Sequence, residues 1–217
     1  MSSDPPSGGP SATPEQRQGE SPRSEEAEPG RAAVVAALGA TLLEALEEHL
    51  PGARRHAEAT AEYALTAAEG LGLRRDRAEL VREAARLHDV GMIYVPADVL
   101  RKPREQLADA ERALLGSHIE YGSRLALGAG IPEDVCTWIL HSRERWDGGG
   151  PANLAGTAIP LESRILRVAC ATDLMLSGAP PAATVAGLRA AGGSQLDLRV
   201  VEVLARKLTY ERRVGST

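Results

Sequence analysis

The chain is 217 residues long and 43% hydrophobic, yet only 3% aromatic and without a single Phe. That length supports one well-buried core, and a composition dominated by Ala and Leu favours closely packed helices over a β-sandwich. The formal net charge of −5 is spread without a basic block, which excludes a dedicated nucleic-acid or anionic-membrane binder.

Cys136 and Cys170 are too few for a disulfide framework and indicate a reducing setting. There is no signal-peptide pattern and no apolar run long enough to span a bilayer. The expectation is a soluble, cytoplasmic protein with no nucleic-acid partner and no membrane span.

Residues 1–30 are rich in Ser, Pro, Gly and Glu and carry almost no aliphatic side chain. Such a segment cannot bury enough apolar surface to offset its ordering entropy, so a disordered tail is predicted. From Arg31 onward, Val34, Val35, Leu38, Leu42, Leu43 and Leu46 recur at helical spacing until Pro51-Gly52 breaks the run. The apolar stripe of this first helix is expected to pack on its own domain, a dimer- or partner-binding surface being the other reading. Further helices are predicted over Ala53–Leu71, from Arg77 to Leu87 or His88, and over Ala108–Leu127, Pro132–Ser142, Leu161–Leu176, Ala182–Ala190 and Leu198–Leu208. The Gly/Pro-rich stretch Asp147–Pro160 reads as loop, and period-2 alternation is nowhere sustained. The fold class is all-α: one compact multi-helix domain over residues 31–213.

The most informative stretch is Leu87-His88-Asp89-Val90-Gly91. A neutral imidazole nitrogen and a carboxylate oxygen are both good ligands for first-row divalent metals. Adjacent residues inside a helix point about 100° apart, so they share a ligand only where the helix ends, and Gly91 is expected to supply that end as a C-cap. Of the five histidines, His56, His88, His118 and His141 fall once per predicted helix, with His118 in mid-helix. Bundle cores build metal sites from facing helices in this way.

Taken in order, His56, His88-Asp89, the segment Ile93–Pro103 ending in Leu100-Arg101-Lys102-Pro103, His118-Ile119-Glu120-Tyr121-Gly122, Glu144-Arg145-Trp146-Asp147-Gly148, Ile159-Pro160 and Arg164-Ile165 have the spacing of a known family. The chain resembles the HD-GYP family, a branch of the HD superfamily of metal-dependent phosphohydrolases, from about Ala53 to Leu208. The resemblance implies a compact helical HD-type fold and hydrolysis of cyclic di-GMP at a bi- or trinuclear centre of iron, manganese or a similar divalent metal. It implies metal ligation by His56, His88, Asp89 and His118, with His88 and Asp89 as the catalytic pair and Asp89 bridging metals. Lys102 matches a basic residue near the substrate loop, and Arg145 and Asp147 match the framework after it, so Lys102 and Arg145 are the implied substrate-binding cations. The implied partner is a cyclic dinucleotide or another phosphate ester.

Against that pattern, two successive metal-binding histidines of the family are Ser142 and Arg143 here. A guanidinium has no free lone pair and places a fixed positive charge where a metal should sit. His141, one residue earlier, is displaced by about 100° on a helix. The family's last ligand, an aspartate, falls on Cys170, read either as a small buried hydrophobe or as a soft thiolate ligand. Asp173 matches a second, non-ligand aspartate. The lysine expected after Gly91 is Met92, the glycine-tyrosine-proline signature becomes Gly149-Gly150-Pro151, and an arginine-rich loop shortens to Ser177–Pro181. Two readings follow. One is a degenerate domain with impaired or lost hydrolysis, acting as a binding or protein-interaction module with little tightly bound metal. The other is an active phosphohydrolase with a reduced metal site, completed by His118 or Cys170, with His141 as a further substitute.

Overall fold

A computed structural model describes residues 30–214, with side chains through Tyr210; the predicted N-terminal tail lies outside the described residues. Among these residues there is no strand, and only two isolated β-bridges, Asp147 with Ala155 and Gly192 with Leu196, occur in loops. The helices are α1 (Arg31–His49), α2 (Ala53–Gly70), α3 (Arg75–Leu87), α4 (Ala97–Arg101), α5 (Asp109–Gly116), α6 (His118–Gly128), α7 (Glu133–Leu140), α8 (Leu161–Leu176), α9 (Pro181–Ala191) and α10 (Leu198–Val214). The all-α expectation therefore holds.

The centre of the molecule is α2, which packs against α1, α3, α8 and α10. Its inward face is nearly all alanine: Ala57, Ala61, Ala64, Ala67 and Ala68 are buried. Side chains this small let neighbouring helices approach closely, and they lose no rotamer freedom on burial. The larger side chains of the core, including Val81, Ile139, Ile165, Leu166 and Leu204, come from the surrounding helices. The first helix buries Val35, Gly39, Leu43 and Leu46 and packs on α3, so its apolar face serves its own domain. Val34 and Leu38, from the same stripe, stay exposed.

Two local features differ from the sequence expectation, and both position the site. The predicted helix Ala108–Leu127 is in fact two, α5 and α6, meeting at Ser117. The Ser117 hydroxyl donates to the Leu114 carbonyl, a side-chain bond that competes with the helical ladder. His118 thus opens a helix rather than sitting in the middle of one. The second difference concerns Gly91. Helix α3 ends at Leu87 and the chain continues into a 3₁₀ turn, Val90–Tyr94, and Gly91 is not among the glycines with positive φ. Its role is close approach: a Cβ there would overlap the His118 carbonyl oxygen and lie 2.5 Å from the Gly122 amide nitrogen. Gly91 therefore brings the 3₁₀ turn that follows His88-Asp89 onto α6, and does not cap α3.

Candidate metal centre

Four helices deliver side chains to one point. His56 comes from α2, His88 from the C-cap of α3 with Asp89 next to it, His118 from the first position of α6 and Cys170 from α8. The imidazoles are oriented alike. His88 Nδ1 lies 2.7 Å from the Ala85 carbonyl oxygen, and His118 Nδ1 lies 2.5 Å from that of Leu115. Both acceptors are three residues back at a helix end, where backbone carbonyls lack helical partners. His56 Nδ1 lies 2.6 Å from Asp173 Oδ2. With each Nδ1–H donating, the Nε2 lone pairs are directed inward, which is the outer-shell arrangement that orients metal-binding histidines.

The three Nε2 atoms surround the Asp89 carboxylate. His88 Nε2 is 3.2 Å and His56 Nε2 3.7 Å from Oδ2; His118 Nε2 is 3.4 Å from Oδ1. Cys170 Sγ lies 3.7 Å from His56 Nε2, and ligand atoms of His56, His88 and Cys170 fall within 4.8 Å of one another. Buried Nε2 atoms of His88 and His118 have no hydrogen-bond partner. A buried polar atom without a partner carries a desolvation cost that a bound cation would remove. On the Oδ2 side, the donors His56, His88, Asp89 and Cys170 fit one divalent ion: two imidazoles, a carboxylate and a thiol are a normal set for zinc or a comparable metal.

The Oδ1 side differs. Arg143 Nη2 sits 3.0 Å from Asp89 Oδ1, on the same oxygen that faces His118. A guanidinium donates and cannot ligate, so it supplies there the positive charge that a second metal would supply. His118 and Arg143 do not fit a second ion. Ser142, the other replaced position, is buried with its hydroxyl unpartnered.

Charges inside the cluster are strongly coupled. Burial disfavours ionising Asp89, but His88, His118 and Arg143 outweigh it and hold its carboxyl well below the usual carboxylate range. Burial likewise opposes a charge on His88, yet Asp89 and Cys170 raise its pKa to about 10. The Cys170 thiol is pushed up by burial and pulled down further by His88 and His56, to about 6. Without a metal, the His88 imidazolium and the Arg143 guanidinium are the counter-charges of Asp89 and Cys170, and an ion bound by His88 Nε2 would take the place of its proton.

The other sequence-derived residues lie elsewhere. Lys102 donates to Glu111 at 2.5 Å, and Arg145 is forked onto Asp147 at 2.9 and 2.5 Å; each cation is already matched by a carboxylate. His141 caps α7 and lines a separate cleft with Glu120 and Glu144. Asp173, read from the sequence as a non-ligand aspartate, is the group that holds His56. Its signal was spacing: Arg167, Cys170 and Asp173 stand three apart on α8 and so share a face.

A model of the HD domain matches residues 40–191. The chain belongs to the HD domain family. Its HD-GYP resemblance is carried by curated relatives. Over 174 residues it is 35% identical to the cyclic di-GMP phosphodiesterase response regulator RpfG of Xanthomonas campestris pv. campestris, covering 76% of this chain and 46% of that protein. It is 33% identical over 127 residues to 3′3′-cGAMP-specific phosphodiesterase 2 of Vibrio cholerae, covering 55% of this chain and 23% of the relative. The chain thus spans less than half the length of these relatives. Among solved structures, a cyclic GMP-AMP-specific phosphodiesterase of V. cholerae superposes with a TM-score of 0.64 at 21% identity, over 85% of this chain and 50% of the other. The HD domain of the L. monocytogenes phosphodiesterase PgpH, in complex with cyclic-di-AMP, superposes with a TM-score of 0.58 at 15% identity, over 77% of this chain and 93% of that one. Those likenesses establish the fold of this HD domain. No described helix is long and apolar enough to cross a membrane.

Proposed function

We propose that this HD domain is a one-metal member of the cyclic-dinucleotide signalling class, which binds a phosphate ester beside that metal and has impaired or lost hydrolysis. The observation that carries the reading is the contact of Arg143 Nη2 with Asp89 Oδ1 at 3.0 Å. The identity of the relatives, which are phosphodiesterases of cyclic di-GMP and 3′3′-cGAMP, supports the substrate class.

His56, His88, Asp89 and Cys170 would hold the ion, with Asp173 fixing the ring of His56. When bound, such an ion polarises phosphate oxygens and lowers the pKa of bound water. Arg143 neutralises Asp89 and offers its remaining N–H groups to an anion, since a guanidinium carries five donors. It can stabilise charge on a bound phosphate, but it cannot generate a hydroxide as a second metal does. The set therefore retains binding more fully than it retains water activation.

The second reading, a working hydrolase with a mononuclear centre, is favoured by the convergence of His56, His88 and Cys170 within 4.8 Å. Cyclic di-GMP binding and hydrolysis, measured side by side on the metal-loaded protein, separate the two. Binding without sustained turnover is the expected result, and Asp89→Ala is expected to remove the metal. Multiple-turnover hydrolysis that disappears in Asp89→Ala would establish the second reading instead.

A further inference from the structure

Cys170 stands where the family pattern has an aspartate, and the two groups differ in a property that bears on control. A carboxylate is inert to mild oxidants, whereas a cysteine sulfur passes reversibly to the sulfenic acid and then irreversibly further. The chain has two cysteines, Cys136 and Cys170, both free and both buried. Apolar burial leaves a thiol inert, while imidazoles and positive charge around it make it a nucleophile.

The two sites are opposite in this respect. Cys136, on α7, donates its thiol to the Ile131 carbonyl at 3.5 Å. Burial, with Asp134 and Glu133 nearby, pushes its pKa up to about 11, so it stays a protonated thiol. Cys170, on α8, has His56 Nε2 3.7 Å from its sulfur, and Asp173 holds the other nitrogen of that ring at 2.6 Å. Sulfur, imidazole and carboxylate in series activate a thiol, because the ring takes the proton and the carboxylate keeps the ring in place. His88 brings a further ring nitrogen within 4.8 Å of the sulfur, and its buried Nε2 has no hydrogen-bond partner. Arg143 and Arg167 add their positive charge to the surroundings of Cys170.

Access is narrow. The side chains of His56 and Asp89 are 15% and 18% exposed, so the cluster opens to solvent at its edge, while Cys170 itself is 4% exposed. An opening of this kind selects small oxidants over bulky ones.

We propose that Cys170 is an oxidation site: hydrogen peroxide converts it to the sulfenic acid, and that change releases the bound ion. The proposal rests on the one-metal reading for the ion, and on the Cys170–His56–Asp173 geometry for the sulfur. In the step, the thiolate sulfur attacks one peroxide oxygen, so that an S–O bond forms as the O–O bond breaks. Sulfur loses two electrons, and the other oxygen leaves as hydroxide. That hydroxide takes the proton held by His56, or one from solvent when the ion is bound, and becomes water. A sulfenic acid lacks the negative charge of a thiolate and adds an oxygen atom in a packed space, so it is a poor ligand for the ion. Cys136 is not part of the ligand group, and the return step uses an external small thiol. Two such molecules give back the Cys170 thiol, one disulfide and water. The metal content of the domain thereby follows the level of oxidant, a control that an aspartate at this position does not provide.

The zinc-loaded full chain treated with hydrogen peroxide tests this, with the released ion read by a chromophoric chelator. Once the peroxide is removed, unfolding in dimedone, which caps sulfenic acids, and peptide mass spectrometry locate the oxidised residue. Loss of the bound ion with one dimedone adduct, at Cys170, is the expected result, and 2-mercaptoethanol is expected to restore zinc binding in protein not exposed to dimedone. Cys170→Asp is expected to keep its zinc under the same treatment, and Cys136→Ser to lose it as the parent does. An adduct at Cys136 instead, no adduct at either cysteine, or zinc retained by protein oxidised at Cys170 would overturn the proposal. The adduct is mapped on the parent chain, so the outcome does not depend on Cys170→Asp folding. A chain that binds no zinc yet gives the Cys170 adduct would remove the one-metal reading and leave Cys170 as the oxidation site. One bound ion with no adduct at Cys170 would do the reverse.

Discussion

On the proposed one-metal reading, a single side chain decides how many cations this centre holds. Arg143 brings a permanent charge to Asp89 Oδ1, so a second ion there would face both electrostatic repulsion and the loss of a ligand. Reinstating imidazoles in the double variant Ser142→His with Arg143→His is therefore expected to raise metal content from one ion per chain to two, as read by elemental analysis. An unchanged stoichiometry would mean that Arg143 is not what limits the site. On the proposed one-metal reading Cys170 would set the chemical preference of the ion, because a thiolate is softer than the carboxylate expected at that position. Cobalt-loaded protein is expected to show thiolate-to-metal charge-transfer absorption in the near ultraviolet, and Cys170→Asp is expected to lose it. Its persistence in Cys170→Asp would exclude a thiolate ligand.

Element ends do the positioning, and this is where reading the sequence reached its limit. His56, His88, Asp89 and His118 were legible as a constellation because their residue types and order are distinctive. The break at Ser117 was not legible, since the apolar pattern of Ala108–Leu127 continues through it, and the bond from Ser117 to Leu114 leaves no periodic trace. Gly91 was legible as a special glycine but not for its reason, because helix-on-backbone approach is a tertiary contact while capping is a local one. Arg104, Arg112 and Arg167 were also missed: arginines carry no signature until the fold brings them to one cavity, here the one they line with His118 and Arg143. The role of Gly91 has a direct consequence. Gly91→Ala forces a methyl group into the backbone of α6 and is expected to cost about 1–3 kcal/mol or more, lowering the melting temperature and displacing His118. A variant as stable as the parent would contradict the close approach. Asp173→Asn keeps the shape at α8 but removes the charge that orients His56. It is expected to weaken metal binding by roughly 10–100-fold, with the fold and the melting temperature of the metal-free protein little changed.

At the scale of the whole molecule, an alanine-faced central helix lets α3 and α8 pack closely on α2, so that the end of α3, the start of α6 and the middle of α8 meet around Asp89. The fold, the family and the buried cluster agree, and the departures at the cluster fall on both sides of Asp89, with Arg143 on the Oδ1 side and Cys170 beside His56 on the Oδ2 side. A metal that binds the folded state alone stabilises it by mass action, about 2.7 kcal/mol at a free concentration 100 times the dissociation constant. Chelation is accordingly expected to lower the melting temperature of the parent protein and to leave that of Asp89→Ala unchanged; an equal drop in both would place the metal elsewhere. The most direct test of the one-metal centre is elemental analysis of the full chain after saturation with zinc, iron or manganese and removal of unbound ions. One tightly bound ion per chain, absent from Asp89→Ala, is the expected result. Two ions per chain, or one that survives the loss of Asp89, would contradict it.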